Sequence, residues 1–359
     1  MITPILEALR ERVLLCDGGT GSRVQVMPLD IERDYWNQEN CTEILNLSRP
    51  DIVRELAHGY FAAGSDMVQT NTFGGSPITL GEFGLQDRAR EINRLAAQYA
   101  REAAEEFVDG RERYIIGSVG PGTKLPSLGN IDYDTLEAAL AEQCRGLLEG
   151  GVDAILIETC QDTLQIKAAV NGAKLARAEA NRIIPIFVQV TVETTGTLLV
   201  GPDIAAAATV VQALDIPLIG LNCATGPQEM AEHVRWLAKN YPGFISVQPN
   251  AGLPELVDGQ TRYPLNAADM ASWVERFVVE DGVNLIGGCC GTDTTHIAAL
   301  DQMLRRVGGF RPAPIERRAV WMPAVASQPA IPHLFIVRCH QIYRQPAASS
   351  KQAPGPGRS

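Results

Sequence analysis

The chain has 359 residues, of which 45% are hydrophobic, and its formal net charge is −11. An acidic chain argues against nucleic acids and anionic membranes as partners, and no apolar run approaches the ~18 residues of a membrane span. Because the N-terminus has no signal-peptide pattern, the eight cysteines indicate a reducing, cytoplasmic setting in which clustered thiols bind metals or act in catalysis.

Short apolar runs and segments with helical periodicity alternate along residues 13–307. The predicted strands are 13–19, 66–73, 114–119, 153–159, 183–190, 217–222, 244–248 and 284–288. The predicted helices are 51–63, 88–107, 134–149, 162–178, 202–214, 227–239, 266–279 and 293–307. Strands that are apolar throughout are typical of a parallel sheet with both faces buried. Eight strand–helix units predict an α/β fold, the (β/α)8 TIM barrel, with an open doubly wound sheet as the alternative.

The character of the sequence changes after Gly309. Eight of the 22 prolines lie in the last 50 residues, and residues 310–359 contain seven Lys and Arg but one Glu. We therefore predict two parts, a barrel domain of residues 1–309 and a Pro-rich, basic tail of residues 310–359 that is partly disordered.

Polar motifs follow the predicted strands at their carboxyl ends, where reactive groups of barrel enzymes gather. Cys223 ends strand six, and the adjacent pair Cys289 and Cys290, flanked by glycines, ends strand eight. The 66 residues between Cys223 and Cys289 exclude a zinc-finger loop but fit two strands that lie near each other on a barrel rim. We expect the three thiols to form one metal site at the C-terminal face.

Three thiolates suit Zn²⁺, with Zn–S bonds of roughly 2.3 Å, and they leave a fourth position open as in catalytic zinc sites. Such a centre has a net charge of −1, so it would activate water poorly. It could still hold a substrate thiol, with a free pKa of roughly 8.5, as a thiolate. The expected reaction is alkyl transfer to that thiol. A vicinal disulfide or a pair of buried thiols is the alternative reading of the cysteine pair.

Adjacent residues on a strand point to opposite faces, so the cysteine pair can face one ion only if the backbone turns. Gly287, Gly288 and Gly291 make such a turn possible. His296 is not expected to be a ligand. The other cysteines of the barrel are predicted to be packing residues: Cys16, Cys41, Cys144 and Cys160, the last of these nearest the site.

Two acidic positions suggest a binding pocket. The stretch from Asp17 to Gly21 is glycine-rich, but without a helical pattern directly after Gly21 it does not favour a phosphate-binding loop. Glu158, at the mouth of strand four, would be a costly buried charge unless it meets a cation. A substrate ammonium is the preferred partner, and an Arg or Lys side chain is the alternative.

These motifs together resemble the homocysteine S-methyltransferase family over roughly residues 10–308. They are Asp17-Gly-Gly19, Asn71-Thr-Phe73, Gly120-Pro121, Ile157-Glu-Thr159, Gly220-Leu-Asn-Cys223 with Gly226-Pro227, Asn250-Ala-Gly-Leu-Pro254 and Gly287-Gly-Cys-Cys-Gly291. Within the family, the motifs at 120–124, 158–162 and 250–254 are most similar to the homocysteine-binding module of cobalamin-dependent methionine synthase.

The resemblance implies a zinc-dependent barrel that binds homocysteine as a zinc thiolate and methylates it to methionine. By position, the zinc ligands would be Cys223, Cys289 and Cys290. The substrate-binding residues would be Asp17, Gly18, Gly19, Asn71, Glu158 and Asn222, with Asp17 and Glu158 on the ammonium group. No catalytic residue is implied beyond activation of the thiol by zinc.

The chain contains no corrinoid motif of the form Asp-x-His-x-x-Gly and no folate or cobalamin module. Methylcobalamin is therefore expected on a separate corrinoid-carrying protein, with a folate-module protein as a further partner. Residues 321–327 look like the start of a linker to a folate module. The alternatives are a self-contained enzyme that uses betaine, S-methylmethionine or adenosylmethionine, and a non-catalytic zinc- and homocysteine-binding remnant of a truncated methionine synthase.

Overall fold

The computed structural model describes residues 3–257 and 260–308, so the predicted tail of residues 310–359 lies outside the described residues. Eight parallel strands form one sheet with the order β1-β8-β7-β6-β5-β4-β3-β2. Their bounds are β1 Leu14–Leu15, β2 Met67–Gln69, β3 Tyr114–Val119, β4 Ala154–Cys160, β5 Ile186–Val190, β6 Leu218–Asn222, β7 Phe244–Gln248 and β8 Leu285–Ile286. A separate antiparallel hairpin joins Glu255–Val257 to Gln260–Arg262.

The two edges of the sheet meet at Asp66, just before β2. Its backbone N–H donates to the carbonyl of Leu15 on β1 (2.7 Å), and its carboxylate accepts from the N–H of Leu15 (2.8 Å). Arg12 and Arg111 both form ion pairs with this carboxylate. The sheet is thus a nearly closed (β/α)8 barrel, which confirms the predicted fold and excludes the open sheet.

Helices connect the strands and cover the outside of the barrel. Their bounds are α1 Ile5–Glu11, α2 Thr20–Val24, α3 Leu45–Ser48, α4 Pro50–Ala62, α5 Pro77–Gly81, α6 Ala89–Glu105, α7 Tyr133–Gly150, α8 Thr163–Glu179, α9 Ile204–Ala213, α10 Pro227–Asn240, α11 Ala267–Val279 and α12 Thr294–Arg306. Short 3₁₀ turns lie at Thr42–Ile44, Gln86–Arg88 and Pro126–Leu128. None of the helices in the described part of the chain is both long enough and apolar enough to cross a membrane.

Side-chain caps explain why the predicted starts of α7, α8, α9, α11 and α12 agree with the structure to within about two residues. Asp132, Asp162, Asp203, Asn266 and Asp293 each accept a hydrogen bond from a backbone N–H in the first turn of the following helix. Such caps satisfy donors that have no partner inside the helix, and they are readable in a sequence.

Strands β1, β2 and β8 are shorter than predicted. At the ends of β1 and β2 some N–H groups bond to side chains instead of to the neighbouring strand, whereas after β8 the N–H of Gly288 donates to the carbonyl of Asp17 (2.9 Å). The N–H of Gln69 donates to Asp17 Oδ2 (2.8 Å), and the N–H of Gly19 donates to Thr292 Oγ1 (3.0 Å). These contacts form the mouth of the barrel.

The barrel interior changes from apolar to polar along the strands. At the N-terminal end, α1 packs against a buried apolar layer that includes Leu14, Met67, Ile116, Leu156, Phe187, Leu218, Phe244 and Leu285. Toward the C-terminal end the buried positions that continue this alternation are polar: Ser118, Glu158, Gln189, Ser246 and Gln248. The expectation of strands that are apolar throughout is therefore wrong near the mouth, where outward-facing Val and Ile residues alternate with these polar residues.

Candidate metal centre

The three predicted cysteine ligands meet at the mouth of the barrel. Their Sγ atoms all lie within 4.8 Å of one another, and those of Cys223 and Cys290 are 3.7 Å apart. Bonds of about 2.3 Å in a tetrahedral zinc site place two sulfurs roughly 3.8 Å apart, whereas a disulfide needs about 2.05 Å. All seven cysteines of the described residues are free thiols. The spacing therefore fits three corners of a metal tetrahedron.

The backbone turns inward directly after β6. Cys223 and Ala224 both have left-handed conformations, with φ of 60° and 56°. The N–H of Cys223 donates to the carbonyl of Gln248 on β7 (3.3 Å), and its carbonyl accepts from the N–H of Thr225 (2.7 Å). This turn places the first thiol at the mouth.

The cysteine pair is held by contacts with the loop after β7. The N–H of Cys289 donates to the carbonyl of Pro249 (2.9 Å), and the N–H of Cys290 donates to Asn250 Oδ1 (3.0 Å). The side chain of Thr292 donates to the carbonyl of Cys289 (2.7 Å). Consecutive cysteines thus face one point because the strand has already ended at Ile286.

The flanking glycines serve this turn in two different ways. Gly291 has a φ of +77°, and a Cβ there would lie 2.2 Å from the ring of Tyr263. Gly287 and Gly288 do not have positive φ, but a Cβ on Gly288 would lie 2.3 Å from Thr292 Oγ1. Close packing therefore explains glycine at positions 287 and 288, whereas at Gly291 both close packing and the left-handed backbone favour it.

The pKa values of the two adjacent thiols are shifted in opposite directions. Hydrogen bonds from Cys223 and Cys289 hold the pKa of Cys290 well below that of an ordinary thiol, and a contact with the hydroxyl of Tyr263 lowers it further. The same thiol contacts, together with burial, raise the pKa of Cys289. Three thiolates at this spacing need a cation to balance their charge, and a soft thiolate set matches Zn²⁺.

Glu158 lies at the end of β4 and is 6% exposed. Ser118 Oγ donates to one carboxylate oxygen, and Asn222 Nδ2 donates to the other (3.2 Å). Burial raises the pKa of Glu158 to about 7; the Ser118 hydrogen bond opposes this shift, and the nearby charge of Asp17 adds to it. No Arg or Lys in residues 3–257 and 260–308 forms an ion pair with Glu158, so the alternative partner is not found.

Asp17 supplies a second buried carboxylate at the mouth. It accepts hydrogen bonds from the backbone and side chain of Gln69 (2.8 and 3.2 Å) and from the thiol of Cys16 (3.3 Å). Burial raises the pKa of Asp17 to about 6. Two carboxylates without a cationic partner among the described side chains make this part of the mouth complementary to an ammonium group.

The remaining predicted substrate residues differ in whether their polar groups already form hydrogen bonds within the protein. Asn222 orients the end of β4, since its side chain contacts Glu158 and accepts from the N–H of Thr159 (2.9 Å). Asn71 donates to the carbonyl of Thr42 (2.8 Å) and so holds the segment before α3. The N–H of Gly19 is taken by Thr292. The N–H of Gly18 has no hydrogen-bond partner in the part of the chain that the structure describes.

The structure shows the surroundings of three local features that the sequence singles out: the segment after Gly21, His296 and the four other cysteines. The five-residue helix α2 begins directly at Thr20, so the expectation of no helix after Gly21 is wrong. The N–H of Gly291 donates to Ser22 Oγ (2.8 Å), a contact with the cysteine loop that no local pattern reveals. His296 takes part in the cap of α12, with Nδ1 at 2.9 Å from Asp293 Oδ1 and Nε2 at 3.2 Å from the carbonyl of Leu265. Cys16, Cys41, Cys144 and Cys160 are buried, as packing residues should be.

Sequence reasoning missed two residues that contact the cysteine pair. Asn250 belongs to a motif that the sequence does show, but its role in holding Cys290 follows only from the structure. Tyr263 follows the short hairpin, and its ring packs against Gly291. No spacing or composition signal marks it.

Comparison with known proteins identifies the family and several relatives of the chain. Residues 14–304 match the homocysteine S-methyltransferase family. The chain is 44% identical to methionine synthase from Mycobacterium leprae and 45% identical to that from Mycobacterium tuberculosis. Each match covers 90% of this chain and 27% of the relative, so the chain spans about a quarter of the length of these relatives.

Among solved structures, the metallated form of the homocysteine methyltransferase MmuM from Escherichia coli has the same fold. The TM-score is 0.67 at 19% identity, and the match covers 84% of this chain and 99% of that protein. The oxidized form of the same protein matches with a TM-score of 0.66 and 20% identity. With a matched region that spans the barrel and the cysteine constellation, the chain belongs to the homocysteine S-methyltransferase family.

Proposed function

We propose that this chain is a zinc-dependent methyltransferase that binds homocysteine as a zinc thiolate and methylates it to methionine. The observation that carries the proposal is the convergence of three thiols, two of them 3.7 Å apart, at an open barrel mouth. Cys223, Cys289 and Cys290 would hold the ion, which supplies the positive charge that keeps a substrate thiol ionised at neutral pH. The reducing cytoplasm is the compartment that suits such free thiols.

The amino-acid end of homocysteine would be bound by the carboxylates beside the metal site. Asp17 and Glu158 are buried, and an ammonium group would replace the water that their charges lose on folding. Asn222 holds Glu158 in place, and the free N–H of Gly18 is a donor for the substrate carboxylate. Asn71 and Gly19 would contribute to the rim of the substrate pocket. The substrate would thus be held at two points, by the carboxylates at its amino-acid end and by zinc at its sulfur.

We further propose that the methyl group comes from methylcobalamin on a separate protein, and that a folate-module protein reloads that carrier. Support comes from the similarity to methionine synthases at 44–45% identity.

The test combines zinc-edge X-ray absorption with a donor screen. We expect three sulfur ligands without homocysteine and four with it, and Cys289→Ala should abolish both zinc binding and activity. Methionine should form with methylcobalamin or its carrier. Turnover with betaine, S-methylmethionine or adenosylmethionine alone would refute the proposed donor, and zinc binding without methylation by any donor would indicate a non-catalytic remnant.

A further inference from the structure

Gln248, the last residue of β7, contacts both loops that carry the cysteines. Strand β7 lies between β6 and β8 in the sheet. The backbone carbonyl of Gln248 accepts from the N–H of Cys223 (3.3 Å), and its side-chain Nε2 donates to the carbonyl of Gly288 (3.4 Å), the residue before Cys289. A single buried residue therefore links the two halves of the thiol set.

The side chain of Gln248 is in turn held by Gln189 on β5. Gln189 Nε2 donates to Gln248 Oε1 (2.6 Å) and to Ser246 Oγ (3.0 Å). Strand β6 lies between these residues, and its residue at this level is Gly220, where a Cβ would lie 1.8 Å from Ser246 Oγ. The absence of a side chain at Gly220 thus makes the contact between β5 and β7 possible.

The direction of these hydrogen bonds is fixed from one end. The carbonyl of Gly288 can only accept, so Gln248 must turn its NH₂ group toward it and its oxygen toward Gln189. Gln189 must then donate, which leaves its own Oε1 without a partner among the described residues although the atom is buried. An unpaired buried acceptor is unfavourable for folding. Orientation of Gln248 toward the cysteine loop explains why an amide occupies this position.

We propose that Gln248, oriented by Gln189, is a positioning residue that sets the distance between the Cys223 loop and the Cys289 loop. The inference rests on the proposed metal site but concerns residues that are neither ligands nor substrate contacts. Removing the amide of Gln248 should let the two loops separate, and removing that of Gln189 should have the same but smaller effect.

The test uses Gln248→Met and Gln189→Met, which keep the side-chain length and lose the side-chain hydrogen bonds to Gly288, Ser246 and each other, while the backbone bond from Cys223 to Gln248 remains. Changes in residues that support metal ligands commonly weaken metal binding roughly 10- to 100-fold, and we expect Gln248→Met to fall in that range, measured by zinc transfer to a chelator. The double variant should be no worse than Gln248→Met, because Gln189 acts through Gln248.

Asn93→Leu is the matched control. Asn93 is also buried, donates to two carbonyls, of Gly75 and Ala89 (both 2.7 Å), and has an oxygen without a partner among the described residues, but it lies on α6 outside the barrel. It should lower the unfolding midpoint without changing zinc transfer. Additive effects in the double variant, or an equal loss of zinc in Asn93→Leu, would overturn the proposal.

A second readout does not depend on zinc. In the metal-free protein, phenylarsine oxide should condense with the thiols of Cys223 and Cys290, releasing one water as two As–S bonds form. Gln248→Met should weaken this binding at least tenfold relative to the unchanged chain. If the unchanged chain takes up the arsenical but not zinc, the proposed function fails while the positioning role stands; equal arsenical binding by both chains contradicts the positioning role.

Discussion

Glu158 receives hydrogen bonds from neutral groups, the hydroxyl of Ser118 and the amide of Asn222. Neutral donors compensate a buried carboxylate only in part, and a charge without a cation is among the costliest groups to bury. The position is therefore better explained by a ligand than by folding. This makes Glu158 the residue at which substrate recognition and stability can be separated experimentally.

Glu158→Gln should raise the KM for homocysteine roughly 10- to 100-fold, the effect of losing a hydrogen bond to a charged group. Zinc content should not change, because none of the cysteines is altered. 4-Mercaptobutyrate, which lacks the amino group, provides the control: its affinity should be the same for both proteins. A parallel loss of affinity for this analogue would contradict a role in binding the ammonium.

The same carboxylate makes stability depend on pH. The pKa of Glu158 is about 7 in the folded protein against 4.5 for the free group, so the folded state binds more protons than the unfolded state between these values. Stability from this group is therefore full below about pH 4.5 and is lost as the pH rises through 7. The raised pKa of Asp17 acts in the same direction.

Glu158→Gln should remove that part of the pH dependence, on the order of 3 kcal/mol in the free energy of unfolding. Urea unfolding of the metal-free protein at pH 5 and pH 8 measures it. We expect a smaller loss of stability between the two pH values in the variant than in the unchanged chain. Equal losses would show that Glu158 does not titrate in this window.

At the scale of elements, the loop after β8 depends on a glycine that faces an aromatic ring. Gly291→Ala would place a methyl group 2.2 Å from Tyr263 in addition to straining a φ of +77°. The cysteine pair should shift, and we expect loss of stoichiometric zinc by metal analysis. Gly84→Ala is the control, because Gly84 has a similar φ of +71° but open space around it. It should cost about 1 kcal/mol in stability and leave zinc bound.

The contact between β1 and β2, where the barrel closes, depends on a single residue, Asp66. The carboxylate of Asp66 is 1% exposed and pairs with Arg12 (2.9 Å) and Arg111 (2.8 Å). Asp66→Asn should lower the free energy of unfolding by about 3–5 kcal/mol, as expected when a buried ion pair loses one partner.

Glu102→Gln is the surface comparison for this contact. It breaks an ion pair with Arg54 whose side chains are 49% and 40% exposed, so it should cost no more than about 1 kcal/mol. Urea unfolding measures both variants, and equal costs would mean that Asp66 does not close the barrel.

At the scale of the whole molecule, the hydrophobic core is separate from the candidate metal centre. The apolar layer inside the barrel and the larger cluster between strands and helices contain none of the three thiols, Cys223, Cys289 and Cys290. Chelation of zinc should therefore leave the far-ultraviolet circular dichroism spectrum unchanged. The unfolding midpoint should fall and recover when zinc is added back, because under the proposed function the ion would bind the folded thiol cluster and not the unfolded chain. Unfolding on chelation would contradict this separation of core and site.

Much of this architecture is determined locally. Eight alternating units, helix caps such as Asp162 and Asp293, and glycines at strand ends are short-range patterns, so the barrel and most element bounds could be predicted. The convergence of Cys223 with Cys289 and Cys290 could be predicted as well, because parallel strands of a barrel end on the same face.

The tertiary structure alone decided how the cysteines are held. Gly19 bonds to Thr292 across 273 residues, and Cys290 to Asn250 across 40. The left-handed turn at Cys223, the ring of Tyr263 over Gly291 and the polar chain from Gln189 to Gly288 likewise join distant segments. Local patterns report secondary structure and burial, whereas hydrogen bonds between loops depend on which strand ends become neighbours when the barrel closes. The sequence thus determined the thiols and their face, and the closed barrel determined their geometry.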